Sequence, residues 1–342
     1  LHRQLIVFFM SQLPVITRHR GPRLAALVVA LAAIVTAGCA SGRAAEQVSA
    51  GGLEKTNLTI AAVPTASSAG LYVAQSRGLF RKEGLNVKIV QISAGANVTP
   101  DLLNGSLDIV NGAYAGFIQA QVHGAGKFHI LADGYAGAPH VDEVVVLPTS
   151  GITSARQLAG KTIAVNALGS VAQLLVSSAL SGQGVSPSSV HFVAMGFPDM
   201  PAALQKHRID AAYMVEPYLS QAEEQTGGEE LLDVNSGATQ DFPINGFAAT
   251  VRWCQKYPKT AAAVARALDE GQAMADANRT VVQTALRHYT TISKQIAAVM
   301  ALGDFPASVN AVHLQRVPDL MHSFGVLKQN FNINVMTKPV GS

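Results

Sequence analysis

The chain is short of cysteine: of 342 residues only Cys39 and Cys254 are cysteines. Two such residues rule out a disulfide framework and leave no cluster of the kind that builds a structural zinc or redox site. The histidines are scattered as well. His123, His129, His140, His191, His207 and His288 show no metal-ligand spacing, so neither a metal nor a cofactor is expected. No repeat of solenoid period is present. Nor does the N-terminal apolar run, residues 24–35, reach far enough: it holds about a dozen residues, where crossing a bilayer takes roughly 20.

That run has a different meaning. Arg18, Arg20 and Arg23 precede it, and Thr36-Ala37-Gly38-Cys39 closes it. A positive segment, a short apolar segment and small closing residues make an export signal, expected over residues 1–38. The pair Ala37-Gly38 before Cys39 resembles a bacterial lipobox, which implies lipidation of Cys39 and anchoring to the outer face of the membrane. Thr36 departs from the usual Leu of that pattern, and ordinary cleavage at an Ala-x-Ala-like site is the alternative. The first residue is Leu1, and Met10 would open a tidier signal, so residues 1–9 are read as lying upstream of the true start.

Export also explains the charge. The formal net charge is +3. Residues 1–38 hold four arginines and no acid, so the remainder carries 21 basic against 22 acidic residues. The basicity belongs to the signal and does not indicate nucleic acid. Once Cys39 is lipidated, Cys254 has no partner within the chain, and the exported protein must rest on its core. The roughly 280 residues that follow are enough for two lobes.

Residues 39–56 read as a flexible tether of Ala, Ser, Gly, Glu and Gln. From residue 58 strand and helix patterns alternate. Strands are expected at 58–63, 87–92, 107–110, 128–132 and 143–147, with helices at 70–82, 98–103 and 115–122. A second series starts after Pro148, with strands at 162–165, 190–194, 211–215 and 231–234 and helices at 155–158, 171–180, 201–207 and 218–225. One more strand, 247–251, leads into a helical tail over 258–289, 292–302 and 309–324. This alternation predicts an α/β protein with parallel sheets.

Four stretches resemble one known family. The first is residues 71–87, with Ala74, Gly78-Leu79-Phe80, Glu83-Gly84-Leu85 and Val87. The second is Leu103-Asn104-Gly105-Ser106-Leu107-Asp108-Ile109. The third runs from Ala155 through Leu158-Ala159-Gly160-Lys161 to Val165. The fourth runs from Ala203 through Asp210-Ala211 to Glu216-Pro217-Tyr218. In this order they resemble the nitrate/sulfonate/taurine and thiamine-precursor family of ABC-transporter substrate-binding proteins. The resemblance implies a type II periplasmic-binding-protein fold, with two α/β lobes, a ligand cleft between them and a helical C-terminal tail. Lobe 1 would comprise 58–147 and 244–342, and lobe 2 would comprise 148–243. The partners implied are a small-molecule solute and the permease and ATPase of an importer, the binding protein itself being a monomer and not an enzyme.

Most motif residues read as architecture. Gly78 and Gly84 suit tight turns, and Asp108 and Asp210, each opening a strand, suit hydrogen bonds to backbone. Gly160-Lys161-Thr162 is not a phosphate loop, because Ala155 replaces the required first Gly and the segment runs from helix to strand. Ligands of open α/β sheets bind at the carboxyl ends of the strands. That rule selects Ser67 and Ser68, then Asn111 and Tyr114, then Tyr135. In the second series it selects Asn166, Gly169 and Ser170, then Phe197, Asp199 and Met200, and finally Glu216 and Tyr218. Capping is the alternative for Ser67, Ser68, Asp199 and Glu216, and lobe packing for the aromatics. The set holds no Lys or Arg but does hold two carboxylates. A neutral or partly cationic heterocycle, such as a thiamine-precursor pyrimidine or riboflavin, therefore fits better than nitrate, a sulfonate or taurine. An anion held by backbone N–H groups at Ser68 and Ser170 is the alternative. A pyrimidine-synthase-like enzyme of the same fold group would want a cysteine-rich segment, which Cys254 alone does not supply. A ligand-sensing module is the third reading.

Overall fold

A computed structural model describes residues 52–93 and 98–338. The export signal, Cys39 and residues 40–51 of the tether lie outside the described residues. Among the described residues ten strands form two five-stranded sheets. They are β1 (Asn57–Ala62), β2 (Asn86–Gln91), β3 (Ile109–Ala113), β4 (Phe128–Ala136), β5 (Asp142–Val146), β6 (Thr162–Val165), β7 (His191–Ala194), β8 (Ala211–Val215), β9 (Glu229–Asp233) and β10 (Pro243–Thr250).

The first sheet runs β2-β1-β3-β10-β4 and the second β7-β6-β8-β5-β9. β1 pairs in parallel with β2, Leu58 facing Val87, and with β3, Ile60 facing Ile109. β10 runs antiparallel to its neighbours, with Phe247 opposite Asn111 and Ala132. The second sheet repeats the plan. β6 is parallel to β7 and β8, and β5 is antiparallel to β8 and β9, with Val144 opposite Tyr213 and Leu232. In each sheet one strand therefore runs against the other four. Helices cover the sheet faces, which is why Ile60, Ile109, Val144, Val145 and Ile163 are all fully buried apolar residues.

β5 departs from expectation. It was to close lobe 1, yet its ladder partners, β8 and β9, both belong to the second sheet. The chain thus passes from the first sheet to the second over residues 137–141, and it returns over 234–242. The helix expected over 70–82 breaks into Ala69–Ser76 and Leu79–Lys82, because Gly78 takes a left-handed φ of 71°. The tail helix expected over 258–289 also divides, into Pro258–Ala277 and Arg279–Tyr289. Asn278 is extended there, and its side chain accepts from Thr280 N–H to cap the second helix.

The long helix Pro258–Ala277 packs on Ala69–Ser76 through Gly271. A Cβ on Gly271 would lie 2.6 Å from the Gly70 carbonyl oxygen and 2.7 Å from the Ala74 methyl. Only a bare backbone permits that approach. On the same helix the fully buried Gln272 donates to the carbonyls of Gly134 and Asp133 in β4. Lobe 1 is thereby completed by the tail. No helix among the described residues is long and apolar enough to cross a membrane.

Candidate functional site

A cavity opens between the two sheets, with about 660 Å³ of atom-free space counting its mouth. Small-molecule sites commonly fall in this range. The first lobe lines it with Val63, Thr65, Ala66 and Ser67 after β1, Asn111 in β3, Tyr135 in β4, and Ile244 and Asn245 at the start of β10. The second lobe lines it with Val141 and Asp142 at the start of β5, Asn166 after β6, Phe197, and Tyr213, Val215 and Glu216 at the end of β8. Next to the cavity the lobes touch: Ala66 N–H donates to the Glu216 carbonyl at 2.8 Å. Gln119 bridges them a second time, donating to the Gly169 carbonyl at 2.7 Å.

Six of the residues singled out from the sequence therefore share this cavity: Ser67, Asn111, Tyr135, Asn166, Phe197 and Glu216. The others lie elsewhere. Ser68 is fully buried beneath the wall, and its hydroxyl donates to the Val63 carbonyl at 2.7 Å and to Asn111 Oδ1 at 3.0 Å. Tyr114 is a core residue whose hydroxyl donates to Asp133; it offers no stacking face. Gly169 and Ser170 line the neighbouring groove, which shares Asn166 with the cavity. Asp199 is exposed and makes no capping hydrogen bond, while Met200 is fully buried. Tyr218 stands behind Phe197, with ring centroids 5.5 Å apart and planes 19° from parallel.

The strand-end rule missed Asp142, Tyr213 and Asn245. Asp142 and Asn245 sit at the amino ends of β5 and β10. Those are the two antiparallel strands, and reversal brings the opposite end of the strand to the cleft. Tyr213 lies inside β8 and reaches the cavity from the sheet surface.

The polar groups are connected. Asn245 Nδ2 donates to Ser67 Oγ at 2.8 Å and lies 3.4 Å from Asn111 Oδ1. Asn111 Nδ2 is buried without a partner among the described residues, so a donor is left over for a bound molecule. Glu216 accepts from the Ser220 hydroxyl at 2.8 Å. Burial nonetheless pushes the Glu216 carboxyl up to about 7. Burial does the same for Asp142, also to about 7, and the nearby Asp233 and Glu216 charges add to it. Among the described residues the lining contains two carboxyl groups and no Lys, Arg or His. Val171 and Ala172, the first residues of the helix Val171–Gly182, which has no side-chain cap, also line the cavity. The first turn of a helix leaves backbone N–H groups unpaired. The cleft thus holds both acid groups and unpaired donors. Cys254 is no nucleophile: it is buried, and burial pushes its thiol up to about 12.

A family model described as NMT1-like matches residues 51–287. Solved structures share the fold over most of the chain. The periplasmic aliphatic sulphonate binding protein SsuA from Escherichia coli is 21% identical, with a TM-score of 0.66, covering 83% of this chain and 97% of its own. The alkanesulfonate-binding protein SsuA from Xanthomonas axonopodis pv. citri, bound to MOPS, is 18% identical, with a TM-score of 0.71, covering 83% and 98%. The periplasmic nitrate-binding protein NrtA from Synechocystis PCC 6803 is 16% identical, with a TM-score of 0.68, covering 80% and 83%. A search of curated protein sequences finds no match.

Proposed function

Because the chain belongs to the NMT1-like family and has the periplasmic-binding-protein fold, we propose that it is an extracytoplasmic solute-binding protein of an ABC importer. It captures a small molecule between its lobes and presents the closed form to a permease driven by an ATPase. Closure shifts an open-to-closed equilibrium because only the closed form touches the solute from both sides. The process needs binding and no covalent chemistry. Export and a lipid anchor on Cys39 complete the reading, and both rest on the sequence of residues 18–39. Failure of labelled lipid to attach to Cys39 would remove the anchor.

The solute favoured is a nitrogen-rich heterocycle or a cation, such as a thiamine-precursor pyrimidine. The observation that carries this is the pair of buried carboxyls, Asp142 and Glu216, in a lining without a basic side chain. Carboxylates accept from N–H donors and repel anions. Phe197 and Tyr213 add flat apolar surface. A second reading has its own observation, the uncapped helix start at Val171 and Ala172. N–H groups there suit an anion. Among nitrate, simple sulfonates and taurine, only taurine also carries an ammonium for the carboxylates.

A thermal-shift screen of the protein against thiamine precursors, riboflavin, nitrate, alkanesulfonates and taurine separates the readings, since a ligand of the native state raises the melting temperature. Stabilisation by the pyrimidines, lost in Glu216→Gln, is expected. Stabilisation by nitrate or alkanesulfonates alone would overturn the heterocycle.

A further inference from the structure

On the face of β5 turned away from the cleft, we propose a divalent-cation site suited to zinc, formed by His140, Glu143 and Glu230. Consecutive strand residues point to opposite faces, so Asp142 faces the solute cavity and Glu143 the other side. His140 belongs to the passage between the sheets, and Glu230 to the edge strand β9. One ligand atom from each lies within 4.8 Å of the others. His140 Nδ1 is 2.7 Å from Glu230 Oε2 and 3.4 Å from Glu143 Oε1. Zinc takes nitrogen and oxygen ligands at about 2.0–2.2 Å in a tetrahedron, whose edges are then roughly 3.3 Å. The spacings around His140 bracket that value.

Close carboxylates are common without a metal, and the grouping alone would carry nothing. A second observation points to a ligand. Glu143 is only 3% exposed, and its Oε2 has no hydrogen-bond partner among the described residues. An unsatisfied buried acceptor is costly, and it lies within this group. Burial raises the Glu143 carboxyl far above the usual range, and the Glu230 carboxylate beside it, by its charge and by sharing a hydrogen bond, adds to this, with smaller contributions from Glu223 and Asp233. A cation would satisfy the oxygen and reverse that repulsion. His140 also holds a left-handed φ of 65°, which residues other than glycine seldom adopt. The imidazole selects zinc-like ions over calcium and magnesium, which prefer all-oxygen sites. His140 and Glu230 are partly exposed, at 64% and 34% of their side chains. An ion can therefore enter, and water can take the fourth position.

The alternative occupant is a proton shared between Glu143 and Glu230. Calorimetric titration of the metal-stripped full chain with zinc chloride at pH 7.5 decides between them. One equivalent is expected to bind. His140→Ala and Glu230→Gln, both at exposed positions, are each expected to weaken it about 10-fold or more. His191→Ala, on the exposed edge strand β7, leaves it unchanged. Absence of zinc uptake by the parent, or an affinity in both site variants unchanged from the parent's, overturns the site and leaves the shared proton. Comparing the unfolding midpoints of the metal-free proteins shows that the variants fold.

Discussion

The two lobes use one device twice, in different surroundings. Asp108 precedes β3 and Asp210 precedes β8. In lobe 1, Thr59 N–H donates to Asp108 Oδ2 at 2.9 Å, and Asp108 N–H donates back to the Thr59 carbonyl at 3.0 Å. In lobe 2, Thr162 N–H donates to Asp210 Oδ2 at 2.8 Å, and Asp210 N–H donates to the Thr162 carbonyl at 2.9 Å. Each aspartate thus clips the start of one parallel strand to the next. Their burial differs. The Asp108 side chain is 6% exposed, pairs with Lys55 and accepts from Trp253 Nε1 at 2.8 Å. The Asp210 side chain is 36% exposed, with Lys161 at 3.5 Å. The same bond made in water and away from it has a different worth, because only the buried one leaves orphaned partners when it is cut.

The largest expected effect tests that contrast. Asp108→Ala should destabilise by about 3–5 kcal/mol, since it strands the Trp253 and Thr59 N–H groups and leaves Lys55 without its partner. Urea denaturation measures it. Asp210→Ala should cost about 1 kcal/mol or less, as for other exposed pairs. Equal losses in the two variants would show that burial is not what separates them.

The cleft is unequal too. Lobe 1 contributes neutral polar groups (Thr65, Ser67, Asn111, Asn245), whereas lobe 2 contributes Asp142 and Glu216. Glu216→Gln is expected to weaken binding of the cognate solute about 10- to 100-fold, or roughly 1.4–2.8 kcal/mol. Asn111→Ala should weaken it by about 10-fold or less, one neutral hydrogen bond being worth roughly 1 kcal/mol. Asp199→Ala, outside the cavity, should leave affinity within about twofold. Isothermal titration orders the three.

A smaller effect concerns acidity. Asp142 and Glu216 hold their protons up to about pH 7 when folded, but release them near 4 in an unfolded chain. The folded state then binds more protons between those values. Its stability should fall as pH rises from about 4 to 7 and level off above. In the solute-free protein, Asp142→Asn and Glu216→Gln should each flatten that slope, measured as melting temperature against pH. A slope unchanged in both would place its source outside the cleft.

Much of the fold is legible in the sequence because each parallel strand carries its own signal. Runs such as Ile163-Ala164-Val165 announce buried strands, whereas helical spacing runs on through Gly78 and Asn278, where the backbone breaks. The partners of a strand are not local, however. Nothing in residues 143–147 says that they pair with β8 and β9, so β5 was assigned to the wrong lobe. The same blindness hid part of the site. A rule about carboxyl ends finds Asn111, Asn166 and Glu216 on parallel strands. It passes over Asp142 and Asn245, which an antiparallel strand presents from its other end. Burial misled in the other direction. Ser68 and Tyr114 follow the carboxyl ends of β1 and β3, but their side chains turn inward to bond Asn111 and Asp133. The His140–Glu143 spacing is visible, but Glu230 is 90 residues from His140 and joins it only through the pairing of β5 with β9.

That pairing also governs the order in which the protein can be made. All five strands of the second sheet lie in one stretch, from Asp142 to Asp233, so a chain emerging from the ribosome or a translocation channel can finish that sheet at once. The first sheet must wait. Its β3 and β4 have an unfilled slot between them until β10 arrives, after the whole of the second lobe has been threaded. Contacts so distant in sequence form slowly. The chain therefore keeps half of its structure open until its last third has appeared.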